Sequence, residues 1–172
     1  MGSKDHEKNT DMGKLTLVTP PSFFLTQNKS FCLINLSKND KDLFADAINK
    51  HMPKEDITLY VWDDNNFLNL DIHGNKEDAK HEKIFGSAEP DAKDKDYTWL
   101  LNACETSTTV VMNMDYSSHP LKVWSGYILT LAKTYFIHSG HEEAKAYSIL
   151  NRNKIDDVTQ LFSKIKKNMD SQ

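Results

Sequence analysis

Arginine is almost missing from this chain: Arg152 is the only one among 21 basic residues. Proteins that read bases or clamp phosphates rely on the guanidinium fork, so this scarcity argues against direct contact with nucleic acid. A formal charge of −4 and a pI near 5.9 point the same way, because nonspecific binding needs a surplus of cations to displace counterions. Cysteine is scarce too. Cys32 and Cys104 are the only two, each inside an apolar stretch, which suits buried reduced thiols. No CxxC pair exists, so a thiolate zinc site is excluded. The six glycines are scattered, with no phosphate-cradling loop and no GxSxG elbow. No apolar run is long enough for a membrane span: Val123 to Ile137 is interrupted by Ser125, Thr130, Lys133 and Thr134. The first residues carry no apolar core of a signal peptide, so a cytoplasmic location is expected.

What is present suits a globular protein of 172 residues with 27% charged and 10% aromatic residues. We expect a disordered tail over residues 1–14, then one α/β domain over 15–172 with a long charged excursion at about 65–96. "SFFLTQNKSFCLINLS" (22–37) reads as a β-hairpin turning at Gln27-Asn28-Lys29, with Phe23–Thr26 added antiparallel at a sheet edge. Leu43, Phe44, Ala47 and Ile48 form one helical stripe, capped at Asn39 or Asp40. Ile57–Trp62 and Thr109–Met114 are apolar on both faces and read as interior strands. Tyr97, Leu100, Leu101 and Cys104 keep helical spacing.

From His119 to Gly140 the apolar pattern predicts a single central helix opening at Pro120. Gly126 in its interior implies the close approach of a neighbouring element. Two more helical patterns follow. The resulting expectation is a three-layer sandwich: a small, mainly parallel sheet of about four strands, flanked by helices, with a helical C-terminal third.

In that arrangement Asp63, Asp64 and Asp115 all stand at carboxyl ends of strands. Carboxylates there hold Mg²⁺ in several phosphate-handling folds, since that ion wants oxygen ligands. The competing explanation is ordinary turn chemistry, because Asp and Asn favour the exits of strands. His138, His141 and Glu142 match no metal-ligand spacing and suit the ends of two helices instead. A Cys104–His119 nucleophile pair lacks any sequence neighbour that would lower the thiol's pKa.

With no catalytic constellation standing out, the expected function is that of a small acidic regulatory, inhibitor or immunity-type protein without a cofactor. Its partner would be another protein with a basic surface. Asp63, Asp64, Asp71, Asp115 and His119 are the candidate binding residues. The alternatives use the same strand-end carboxylates, for Mg²⁺-dependent phosphoryl transfer with Asp63, Asp64 and Asp115 as metal ligands, or for sensing a small molecule.

Overall fold

A computed structural model describes residues 12–20, 22–63, 70–72, 75–77, 90–114, 119–137 and 153–170. Its frame is a parallel sheet of six strands: β1 (Leu15–Val18), β2 (Lys29–Ile34), β3 (Ile57–Trp62), β6 (Thr109–Asn113), β7 (Thr134–Ile137) and β8 (Lys154–Ile155). They lie side by side in the order β1-β3-β2-β6-β7-β8. A separate antiparallel hairpin joins β4 (Leu70–Ile72) to β5 (Asn75–Glu77). The helices are α1 (Lys38–His51), α2 (Pro90–Thr106), α3 (His119–Thr130) and α4 (Leu161–Asp170). A single 3₁₀ turn at Val158–Gln160 leads into α4.

β2, β3 and β6 owe their central place to composition. Every residue of β3 and β6 is buried, and β2 is buried from Ser30 onward. Strands covered on both faces need apolar side chains in both directions, and these sequences supply them. One face of the sheet packs Phe31 against Phe44 of α1 and Phe162 of α4, with ring centroids 5.2 and 6.1 Å away. The opposite face stacks Tyr60 and Trp62 under Tyr97 and Trp99 of α2. α3 lies on the α2 side, where the Tyr127 hydroxyl donates to Glu105 Oε1 at 2.6 Å. Helices α1 and α4 on one face, α2 and α3 on the other, make the three-layer α/β sandwich.

Several details differ from the sequence reading, each for a physical reason. The sheet has six strands rather than about four, and every pairing in it is parallel. Phe23–Thr26 is not an antiparallel edge strand and forms no hairpin with β2. It belongs to the crossover from β1 to β2 and lies across the face of β3, not along its edge. Phe23 stacks on Tyr60 at 5.6 Å, the Tyr60 hydroxyl donates to Phe24 O at 2.8 Å, and Trp99 Nε1 donates to Ser22 O at 2.6 Å. The edge position goes to Leu15–Val18, which pairs with Ile57–Tyr60.

The helix expected from His119 to Gly140 stops at Thr130, and Thr134–Ile137 becomes a buried strand. The last third is therefore not purely helical. Gly126 meets no neighbour: a Cβ there would touch nothing within 4 Å. Ser37, not Asn39 or Asp40, caps α1, its side chain accepting from the Asp40 amide. Of the excursion, 70–72, 75–77 and 90–96 take part in the β4–β5 hairpin and α2, and the other residues of 65–96 lie outside the described ones.

Candidate functional site at the carboxyl edge of the sheet

Leaving β1 aside, the order β3-β2-β6-β7-β8 is the doubly wound order 2-1-3-4-5. The chain moves from β2 outward to β3 through α1, then returns past β2 to β6 through α2. The connections leaving β2 and β6 thus go to opposite faces, which makes the carboxyl ends of these two strands the topological switch point of the sheet. In open α/β sheets this switch point is where ligands bind.

Register fixes which residues meet there. Ile34 is paired with Trp62 on one side and Met112 on the other. The next residue on each strand is Asp63 on β3, Asn35 on β2 and Asn113 on β6, so these three form one row across the exit of the sheet. All three are buried, at 3%, 4% and 2% exposure. Asn35 has left the strand conformation, with φ of 55°, while its amide still donates to Trp62 O at 2.9 Å. Asparagine enters this left-handed region at low cost because its side chain bonds locally. The bend turns the chain off the sheet and into Ser37, the cap of α1.

Asp63 is one half of an ion pair. Lys41, in the first turns of α1, donates from Nζ to Asp63 Oδ2, and the two side chains are 1% and 4% exposed. A charge taken this far from water must be paired, and each residue supplies what the other lacks. Asp40, beside it in sequence, faces elsewhere. Its carboxylate accepts from the Ser37 hydroxyl at 3.1 Å and from the Val158 amide, and Asp157 lies near it. Burial pushes the Asp40 carboxyl above its ordinary range, against the lowering effect of those two hydrogen bonds.

Of the five residues expected to form a site, three are described, and they belong to different elements. Asp63 is in the row. Asp71 belongs to β4, in the separate hairpin that packs on α1, not at the end of a sheet strand. His119 is the first residue of α3. Asp64 and Asp115 lie outside the described residues, as do His138, His141 and Glu142. Among the described residues no three His, Cys, Asp or Glu side chains gather in a metal-holding group. Lys41, Asn35 and Asn113 were missed from the sequence. A polar residue directly after a buried strand ("FCLIN", "VVMN") was the available signal for the two asparagines, whereas nothing local marks Lys41 within "SKNDKD".

No protein-family model matches the chain, and no curated protein matches it. Among the described residues, no helix is long and apolar enough to cross a membrane.

Proposed function

We propose that this protein binds a small polar molecule at the switch point between the carboxyl ends of β2 and β6, as a sensor or carrier. The row Asp63–Asn35–Asn113 at the switch point carries this reading. Two carboxamides and a lysine-paired carboxylate bring donors and acceptors together where three adjacent strands end, which suits recognition by hydrogen bonds. The ligand class that fits is neutral or singly charged and rich in hydroxyl or amide groups, such as a nucleoside or a sugar derivative.

Thermal unfolding in the presence of nucleosides, nucleotides and sugar derivatives tests the proposal. A ligand that binds only the folded state raises Tm with concentration. The rise should vanish in Asn113→Ala while that variant still melts cooperatively. No shift by any member of the panel, or a shift that Asn113→Ala leaves intact, refutes it.

A protein partner is the second reading, favoured by Phe24 and Leu25 on the β1–β2 crossover, 46% and 74% exposed. Adjacent apolar side chains in water mark contact surfaces. The acidic composition would direct such a surface toward a basic partner. Mg²⁺-dependent phosphoryl transfer through Asp63, Asp64 and Asp115 draws less support, because the Lys41 ammonium already neutralises Asp63.

A further inference from the structure

The two edge strands of the sheet, β1 and β8, end it in opposite ways. β8 has two residues. Phe136 donates its amide to Asn153 O, so Asn153 and Ile155 face β7 and Lys154 turns its backbone outward. That outward carbonyl accepts from Lys164 Nζ of α4. A short edge closed by a lysine is a common way for a sheet to avoid pairing with other chains. β1 lacks these guards. It runs for four residues, Leu-Thr-Leu-Val, and no charged residue occurs from Leu15 to Asn28. The Ile57 amide donates to Lys14 O, which fixes the alternation along the strand. Lys14, Thr16 and Val18 face β3, while Leu15 and Leu17 turn both N–H and C=O away from it. Among the described residues no strand lies beyond them. Three of the four large apolar side chains that stand exposed among the described residues, Met12, Phe24 and Leu25, flank β1 in sequence.

We propose that β1 pairs with β1 of a second copy, antiparallel about a two-fold axis at Thr16, joining two six-stranded sheets into one continuous sheet. In this register Leu15 meets the second copy's Leu17, and Leu17 its Leu15, each pair exchanging both N–H···O bonds. Every outward group of the strand is then used. An axis at Leu15 would instead set Leu17 against Gly13, whose amide already donates to Pro53 O. The missing charge decides the occupant. A basic protein would find no acid on this stretch to attract it, whereas two copies of formal charge −4 repel least where neither presents a charge. A stable dimer buries about 800 Å² on each partner, more than a short strand edge supplies. Half-buried Leu15 and Leu17 on one face of the sheet, with exposed Phe24 and Leu25 on the other, add to it, and the association depends on concentration.

Sedimentation velocity and residue-resolved amide exchange on the native full chain, over one concentration series, test this. The mass should double as concentration rises. The Leu15 and Leu17 amides should slow about tenfold from the dilute to the concentrated end, while those of Thr16 and Val18, already bonded to β3, change little. Thr16→Lys sets two ammonium groups against each other at the axis, so it should stay monomeric throughout, with a cooperative melt. In Thr16→Cys the facing Cα atoms stand about 4.5 Å apart, within disulfide reach, and mild oxidation should give a covalent dimer. The wild type, whose two cysteines are buried, is the blank. A monomer at every concentration overturns the proposal, as does a dimer that survives Thr16→Lys or leaves Leu15 and Leu17 exchanging as in the monomer. Protection of both amides at every dilution also overturns it, because the chain's own residues 1–11 then occupy the edge.

Discussion

Removing one partner of the Lys41–Asp63 pair should cost far more than removing both. In Lys41→Met the aliphatic part of the side chain is kept, but the Asp63 carboxylate is left 4% exposed with its cation gone. Breaking a buried pair this way costs about 3–5 kcal/mol, mostly from the stranded charge. For a chain of this size the corresponding drop in Tm is roughly 10 °C. Asp63→Leu, which strands the ammonium instead, should cost a similar amount. The double variant Lys41→Met/Asp63→Leu leaves neither charge unpaired, so its cost should fall below that of either single variant. Urea denaturation of the four proteins, with m-values compared to confirm an unchanged unfolding surface, gives the coupling directly. The reasoning fails if Lys41→Met loses less than about 1 kcal/mol, the value of a solvent-exposed pair. It fails equally if the two single costs simply add.

Three further predictions concern single sites. Gly126 faces open space inside α3, so Gly126→Ala should stabilise the protein by about 0.5–1 kcal/mol in urea melts; a loss would mean that the helix needs the glycine. Gly13 is the opposite case: a Cβ there would sit 1.9 Å from the Glu55 carbonyl oxygen, and the Gly13 amide donates to Pro53 O at 2.9 Å. Gly13→Ala should therefore destabilise by about 1–3 kcal/mol and loosen β1, visible as faster amide exchange over Leu15–Val18; unchanged exchange there argues against it. The third rests on Asp40, whose buried carboxyl titrates above the ordinary 3.8. A raised folded pKa means that ionised Asp40 weakens the fold, and the contribution is recovered as pH falls through the folded pKa to below 3.8. Acidification should then shift the stability difference between wild type and Asp40→Asn in favour of the wild type; a shift the other way would show that the two hydrogen bonds outweigh burial.

How far the sequence foretold this depended on whether the deciding interaction was local. β3 and β6 were legible because their own residues are apolar on both faces, a property no neighbour has to supply. β7 was not. Thr134–Ile137 continues the apolar character of α3 without a proline or glycine between them, so periodicity alone cannot separate helix from strand. What divides them is long-range: Lys133 is held by carbonyls at the end of α2, and Val110 donates its amide to Lys133 O at 3.0 Å. β1 and β8 are short, and they exist because of Ile57–Tyr60 and Phe136–Ile137, residues far away in sequence. The same limit hid most of the site. Asp63 was visible as an acid after a strand, but its meaning depends on a lysine whose burial only the packing of α1 creates.

The two ends of the sheet carry different polar groups, and that contrast is why we propose the carboxyl edge as the ligand site. At the amino edge the polar side chains are hydroxyls committed to neighbouring segments. Ser30 and Thr108 exchange contacts at 3.0–3.4 Å, and Thr58 donates to Thr26 Oγ1 at 3.1 Å. Such pairs close loops onto the sheet, and a hydroxyl has a single proton to give. At the carboxyl edge the corresponding row holds two carboxamides, each with two donor hydrogens and an acceptor oxygen with two lone pairs. Desolvating groups of that capacity is costly, and apolar residues at the same positions would continue the core outward without the cost. Val110, Val111 and Met112 show the alternative one step earlier on the same strand, all fully buried. An isosteric test follows from this contrast. If Asn113 serves only the fold, Asn113→Leu should lower stability and leave every ligand response unchanged. If it also serves recognition, the same variant should lose the ligand-induced rise in Tm while still unfolding cooperatively, which separates binding from folding at one position.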